Sequence, residues 1–225
     1  PAVALVGTRR PGPAASVQAL ALGREFARLG ITVISGLALG IDALAHRGCL
    51  EGGGITAAVL GSSVDQVYPA SNRSLARRII EAGGAILSEY PAGTAPRKWH
   101  YPQRNRIISG LARATVIVEA PARSGALHTA RFALEQGRDL FVASAGVSSP
   151  EAAVLGAGTR RLAEEGCPVI DAAAEVLADW GMDAALAAER NGGSRVRFAE
   201  DGRAADDGAE AARALAASLI QELGL

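Results

Sequence analysis

The chain has 225 residues, of which 49% are apolar, with 23 basic and 23 acidic side chains. This composition is typical of a folded globular protein with a sizeable core and excludes a disordered chain. Two cysteines without a paired spacing exclude a disulfide framework and a cysteine zinc cage, and no apolar run is long enough to span a membrane. We expect a cytoplasmic protein, and because the chain begins at Pro1 rather than at a methionine, a fragment or a processed product.

The balanced net charge conceals two unlike parts. Residues 1–150 carry 16 basic and 9 acidic side chains, whereas residues 151–225 carry 7 basic and 14 acidic ones. Lys98 is the only lysine. The basic part suits a polyanionic partner, and the acidic part is either a surface for a basic partner or a solvated tail.

Short apolar runs alternate with longer amphipathic segments along the chain. The runs are continuously apolar, as expected of strands buried on both faces, and comprise residues 3–6, 31–34, 55–60, 85–87, 115–118, 140–142 and 168–170. Apolar residues recur at helical steps in the segments 16–29, 39–50, 72–81 and 127–136. The alternation predicts a doubly wound α/β fold of extended Rossmann-like type, with a mostly parallel sheet and helices on both faces.

Two segments interrupt this alternation. Residues 88–105 are predicted to form a loop, and ordered loops of that length are often functional. Residues 183–208 have the composition of a linker, and residues 209–223 are predicted to form a final helix. We therefore expect one Rossmann-like domain over residues 1–182 and a linker with a helical appendage over residues 183–225.

Four turns that contain glycine beside hydroxyl or arginine side chains follow predicted strands. Ligands of open parallel sheets bind at the carboxyl ends of the strands, so these turns should converge on one edge. They are Gly7-Thr8-Arg9-Arg10, Ser35-Gly36, Gly61-Ser62 and Arg123-Ser124-Gly125. Together with the arginines they predict an anion-binding groove that is wider than a single nucleotide requires.

The familiar nucleotide and metal motifs are missing. The turn after the first strand is not GxGxxG, and no GxxxxGK[ST] sequence occurs. The three histidines are scattered, so we expect no metal site and no cofactor. Asp42 and Glu119 lie near strand ends, where each is a candidate general base, a helix cap or a member of an ion pair.

Residues 97–106 interleave cationic side chains with aromatic rings. Single-strand binders combine a positive groove with rings on which bases stack, and this segment supplies both. Its candidate DNA contacts are Lys98, Trp99, Arg104, Asn105 and Arg106, with Tyr101 as a further ring. Two alternatives remain: the rings fill the core, or Arg104 and Arg106 brace the loop by pairing with Glu89 or Glu119.

Several of these blocks together resemble the DNA-processing protein A family (DprA, also called Smf). The matching blocks are Val-Gly-Thr-Arg at 6–9, Ser-Gly-Leu-Ala-Leu-Gly-Ile-Asp at 35–42, Tyr68-Pro69, Leu-Ser-Glu-Tyr-Pro at 87–91, Arg-Asn-Arg-Ile-Ile-Ser-Gly-Leu at 104–111 and Ser-Gly-Ala-Leu at 124–127. The resemblance covers about residues 2–180.

The resemblance implies a dimeric protein that binds and protects single-stranded DNA and loads the RecA recombinase onto it in natural transformation. It implies neither catalysis nor a cofactor, nor a membrane partner. It assigns phosphate binding to Gly7-Thr8-Arg9 and a basic contact to Lys98. The winged helix found at the carboxyl end of the family is not recognisable in residues 183–225.

A partner surface is predicted near the end of this domain. The spacing of its apolar residues predicts one patch, formed by Leu162, Val176, Leu177 and Trp180. The resemblance places self-association and RecA contact in this part of the fold, and the acidic residues nearby suit a basic partner. The alternative is that the patch covers the final strand.

Two other functions remain open. Phosphoribohydrolases of the lysine-decarboxylase-like family share the predicted architecture and act on a nucleoside monophosphate at the same edge. Their Pro-Gly-Gly-x-Gly-Thr turn, which is followed by a glutamate-bearing helix, would correspond to residues 122–127. These lack the paired glycines, although Thr129 and Glu135 lie beyond them. The third possibility is a binding scaffold whose acidic carboxyl-terminal region alone engages a protein partner.

Overall fold

A seven-stranded parallel sheet lies at the centre of the fold. The computed structural model describes residues 1–185 and residue 187. All six pairs of neighbouring strands run parallel, in the order β4-β3-β2-β1-β5-β6-β7. The strands are β1 (Ala2–Val6), β2 (Thr32–Ser35), β3 (Thr56–Val59), β4 (Ala85–Leu87), β5 (Ala114–Ile117), β6 (Asp139–Ala143) and β7 (Val169–Ile170). The predicted doubly wound α/β fold is confirmed.

Helices cover both faces of the sheet. They are α1 (Pro13–Arg28), α2 (Ile41–Glu51), α3 (Arg73–Glu81), α4 (His100–Gly110), α5 (Ala126–Glu135), α6 (Ala145–Ser148), α7 (Ala157–Glu164) and α8 (Ala173–Asp179). Along β1 the side chains of Val3 and Leu5 pack with α1, α2 and α8, whereas Ala4 and Val6 pack on the other side with α4 and α5. All four are buried, which is why β1 reads as a continuous apolar run.

The chain changes direction across the sheet at β1. From β1 it proceeds through β2 and β3 to β4 on one side, and then returns to β5, which pairs with β1 on the other side. Crevices form at such switch points because the turns after the two adjacent strands lead away in opposite directions. The turns after β1 and β5 therefore flank the expected binding site.

The segment predicted as a loop over residues 88–105 is shorter, because α4 begins at His100. The buried residues His100, Arg104 and Ile108 of α4 recur at four-residue steps, as expected of a helix. Two of the three are polar, so the sequence does not show the apolar periodicity from which a helix is predicted. Pro102 lies in the first turn, where a missing backbone N–H is tolerated. Tyr101, Arg104 and the residues up to Gly110 are consequently presented by a rigid helix.

The predicted apolar partner patch is not an exposed surface. Val176 and Leu177 are 0% exposed and pack in the core on the α1 side of the sheet. Trp180 is half-buried, donates from Nε1 to Asp139 Oδ2 at 2.8 Å and lies under the Arg113 guanidinium. Leu162 is half-buried against the opposite core. The spacing is explained by the alternative, in which these residues cover the end of the sheet.

The predicted helix over residues 209–223 and most of the predicted linker lie outside the described residues. Within the part of the chain that is described, no helix has the length and apolar character needed to cross a bilayer.

Candidate nucleic-acid interface

A basic groove opens at the switch point between β1 and β5. It has a volume of about 970 Å³ and is formed by the turns after these strands, by α4 and by the loop that precedes α4. Asp42 is the one carboxylate that lines it within the described residues. Six cationic side chains line it, namely Arg9, Arg10, Arg97, Lys98, Arg104 and Arg123. The excess of positive charge suits a polyanion.

The turn after β1 is held by its backbone. A Cβ at Gly7 would lie 2.6 Å from a side-chain carbon of Ile41 and 2.9 Å from the Glu119 carbonyl oxygen, so only glycine fits. The Thr8 N–H donates to the Glu119 carbonyl at 2.7 Å, and the Thr8 carbonyl accepts from the Ile41 N–H at 3.1 Å. This fixed backbone presents Arg9 to the groove, where its guanidinium carbon lies 5.4 Å from the centre of the Tyr101 ring.

Two tyrosines form an aromatic wall of the groove. The ring centres of Tyr68 and Tyr101 are 6.0 Å apart, and Tyr68 is 49% exposed. Partial burial raises the pKa of the Tyr101 phenol, Tyr68 adds to the rise and Arg9 opposes it. The hydroxyl therefore remains protonated at neutral pH and is able to donate a hydrogen bond. Tyr68 was not among the predicted site residues, since its contact with Tyr101 joins distant parts of the chain.

Arg104 is a brace in the floor of the groove. Its side chain is buried, and Nη1 donates to the Gly36 carbonyl at 2.7 Å and to the Val59 carbonyl. It thereby ties together the carboxyl ends of β2 and β3. A Cβ at Gly36 would lie 2.6 Å from Arg104 Nη2 and 2.6 Å from Asp42 Oδ2, so a larger residue there would displace these two side chains.

Charge beneath the groove is partly neutralised by this packing. Burial raises the pKa of Asp42, and the Arg104 guanidinium opposes the rise. Burial likewise lowers the pKa of Arg104, with Asp42 opposing. Asp42 also accepts from the Ala38 N–H at 3.4 Å. These contacts fit a structural role for Asp42 at the start of α2 better than that of a general base.

Arg106 points away from the groove and pairs with Glu89 at 2.6 Å. This is the bracing contact that the sequence left open. Trp99 does not line the groove either, but it is 57% exposed beside Lys98, and Arg97 lies 5.4 Å from its ring centre. Trp99 is consequently an accessible ring at the rim of the groove.

The turns after β2 and β3 do not contribute hydroxyl groups to the groove. The Ser35 hydroxyl donates to the Leu5 carbonyl at 2.6 Å, and the Ser62 hydroxyl donates to the Gln66 carbonyl at 2.7 Å. Both serines are buried, and the Gly61 carbonyl lies 3.0 Å from His100 Nδ1. Ser35, Gly36, Gly61 and Ser62 were predicted as site residues, but none of the four lines the groove.

The turn before α5 forms the far wall. Arg123, Ser124 and Gly125 all line the groove, as predicted. The Ser124 hydroxyl accepts from the Ala126 N–H at 3.2 Å, and Asn105 Nδ2 donates to the Gly125 carbonyl at 3.2 Å. Asn105 thus connects α4 to this turn.

The described residues contain a buried histidine, His46, but no cluster of metal ligands. His46 is fully buried, its Nδ1 lies 2.7 Å from the Thr56 hydroxyl, and burial lowers its pKa to about 3, so it is neutral. Among residues 1–185 and 187, no three His, Cys, Asp or Glu side chains are grouped as metal ligands would be.

Comparison with known proteins identifies relatives of this chain. Protein Smf of Synechocystis sp. is 49% identical over 141 residues, which cover 63% of this chain and 35% of that protein. The X-ray structure of DNA processing protein A from Streptococcus pneumoniae superposes with a TM-score of 0.70 at 37% identity, covering 79% of this chain and 61% of that one. The chain therefore spans less than two thirds of either relative.

A second solved structure concerns DNA processing protein A from Helicobacter pylori and its single-stranded DNA binding mode. It has a TM-score of 0.68 at 31% identity and covers 80% of this chain and 79% of that one. The model of the family described as DNA recombination-mediator protein A matches residues 1–181. The chain accordingly belongs to the DNA recombination-mediator protein A family.

Proposed function

We propose that this chain binds single-stranded DNA along the basic groove, without catalysis, as the DNA-binding part of a recombination mediator. The observation that carries the proposal is the combination of six cationic side chains with a tyrosine pair, of which Tyr68 is exposed and Tyr101 half-buried, in one groove. Unpaired strands require both components, because their phosphates need a positive path and their free bases need flat surfaces. The single-stranded DNA binding mode reported for the related Helicobacter pylori protein supports the same ligand.

The side chains divide into three groups in this proposal. Phosphates contact Arg9, Arg10, Lys98 and Arg123, together with the backbone of the Gly7-Thr8 turn and of the Ser124-Gly125 turn. Bases stack on Tyr68 or Tyr101, and Trp99 is available at the rim. Arg104, Asn105 and Arg106 hold the walls in place through the hydrogen bonds described above.

The proposal has three further parts: the protein protects incoming DNA, it loads RecA, and it forms a homodimer. They are supported by membership of the family rather than by a surface identified in the structure. Val176 and Leu177 are core residues, so they are not part of the proposed partner surface. The exposed carboxylates of Glu164, Asp171 and Asp179 remain the proposed site of charge complementarity with a basic partner.

The phosphoribohydrolase alternative receives no support from the groove. The candidate glutamate after the 122–127 turn is Glu135, which pairs with Arg131 at 2.6 Å on the outer surface of α5. It does not line the groove. A catalytic carboxylate would have to lie within hydrogen-bonding reach of the substrate.

The proposal is tested by titrating fluorescent single-stranded and double-stranded oligonucleotides at several salt concentrations. We expect tighter binding of the single strand, with a log–log salt slope of roughly −0.7 for each phosphate contacted. Release of ribose 5-phosphate from nucleoside monophosphates is measured on the same preparation. Equal affinity for both forms of DNA at every salt concentration, or turnover of a nucleoside monophosphate, would overturn the proposal.

A further inference from the structure

The loop that carries Arg9 and Arg10 is attached at both ends to a single residue. We call residues 7–12 the arginine loop. Near its beginning the Thr8 N–H donates to the Glu119 carbonyl at 2.7 Å, and at its end the Gly12 N–H donates to Glu119 Oε2 at 2.9 Å. Glu119 follows β5 and is 0% exposed. One buried residue, directly after the neighbouring strand, thus accepts a hydrogen bond from each end of the loop.

The carboxyl of Glu119 also occupies the start of α1. Gly12 is the residue that caps α1, and it has no side chain with which to accept a hydrogen bond from the first amides. The amino-terminal end of a helix carries partial positive charge and attracts anions. In Rossmann-like folds this end is where the phosphates of a dinucleotide usually lie. Here a carboxyl group of the protein itself accepts a hydrogen bond at that position.

The second oxygen of this carboxyl has no partner in the described residues. Glu119 Oε1 is buried without a hydrogen bond. Burial raises the pKa of Glu119, the Gly12 N–H opposes the rise, and the nearby Glu151 adds to it. Burying a carboxyl group removes its hydration, which costs free energy unless the protein supplies a hydrogen bond. Here the hydrogen bond is supplied by the Gly12 N–H at the end of the arginine loop.

We infer that Glu119 is a positioning residue of the basic groove, which holds the arginine loop from β5 and replaces a phosphate at the start of α1. The inference rests on the proposed function, because it assumes that the loop contacts DNA phosphates. Glu119 does not itself line the groove. Because the carboxyl already accepts from the Gly12 N–H, this amide is not available to a DNA phosphate. The phosphates are instead bound by the side chains of Arg9 and Arg10, and two neighbouring arginines suit two successive phosphates of a strand.

The first test compares two substitutions at this position with a matched control. Glu119→Ala removes the carboxyl that accepts from the Gly12 N–H but keeps the carbonyl that accepts from Thr8. The end of the loop at Gly12 is then correctly placed in a smaller fraction of molecules, and the apparent affinity for a fluorescent oligothymidine should fall about tenfold. Glu119→Gln retains an oxygen that accepts from Gly12 and should bind within about twofold of the parent. Glu135→Ala removes an exposed carboxylate that pairs with Arg131 and should leave the affinity unchanged.

The second test uses amide hydrogen exchange, which does not depend on DNA and remains informative if Glu119→Ala fails to fold. In the parent chain and in Glu119→Gln, the Gly12 amide should exchange more slowly than the Arg10 amide, whose acceptor is the exposed Thr8 hydroxyl. A Gly12 amide that exchanges as fast as that of Arg10 overturns the inference, as does a folded Glu119→Ala variant with the parent's affinity.

The two proposals fail in different ways. If the parent chain binds single and double strands equally at every salt concentration, the proposed function is wrong, while the exchange of the Gly12 amide still tests the attachment of the loop. If Arg9→Ala weakens binding but Glu119→Ala folds and binds normally, DNA binding stands and the positioning role is wrong.

Discussion

Four turns lie on the same edge of the sheet and have similar compositions, but they form two pairs with different environments. The first pair follows β1 and β5, and the second pair follows β2 and β3. In the first pair, side chains such as Arg9 and Arg123 face an open groove. In the second pair, the hydroxyls of Ser35 and Ser62 donate to backbone carbonyls and are buried. The difference shows that topology decides the role: only the first pair flanks the point at which the chain changes direction.

The largest expected effect is a loss of stability on substitution of Arg104, which braces the turns after β2 and β3 but not those after β1 and β5. Arg104→Ala would leave the carbonyls of Gly36 and Val59 and the carboxyl of Asp42 without their buried cationic partner. We expect a loss of about 3–5 kcal/mol in the free energy of unfolding, measured by urea denaturation. If the variant is as stable as the parent, the turns after β2 and β3 do not depend on this brace.

A smaller effect, on binding rather than on stability, should come from Tyr68. Because Tyr68 is 49% exposed, Tyr68→Ala should leave the melting temperature nearly unchanged. The loss of a stacking ring should cost about 1–3 kcal/mol of binding free energy for single-stranded oligonucleotides, with little sequence preference. Tyr68→Phe is the control, since it retains the ring. An alanine variant with the affinity of the parent would remove Tyr68 from the wall that contacts DNA.

The smallest and most specific effect concerns the salt dependence of binding. Arg9→Ala and Lys98→Ala should each reduce the magnitude of the negative log–log salt slope by roughly 0.7, the value for one phosphate contact on a single strand. The double variant should show the sum of the two changes and the melting temperature of the parent. Arg131→Ala is the matched control, because Arg131 is an exposed arginine on α5 that pairs with Glu135. An unchanged slope in the double variant would show that these cations do not contact phosphates.

The fold was predictable from the sequence because each strand of a parallel sheet is buried on both faces. Val3 to Val6 read as one apolar run for that reason, and the same holds for β5. Helix α4 was missed because two of its buried positions, His100 and Arg104, are polar and satisfied by backbone carbonyls. A helix is predicted from the spacing of its apolar side chains, so a buried arginine such as Arg104 does not contribute to the prediction.

The site was predictable only in part. The resemblance and the strand-end rule together located Arg9, Lys98 and the 123–125 turn in one groove. The spacing of Val176 and Leu177 was equally compatible with a surface and with the core, and burial decided for the core. The link from Glu119 to Gly12 joins residues 107 positions apart, so only the three-dimensional arrangement reveals it.

The basic groove contains the only lysine side chain of this arginine-rich chain. Of 23 basic residues only Lys98 is a lysine, and it lies in the lining of the groove. An amine-selective reagent consequently has one side-chain target in the whole chain. Acylation there removes a single positive charge at the place where a phosphate is proposed to bind. The same ε-amino group therefore provides both a covalent reporter of occupancy and a means of weakening the groove without any substitution.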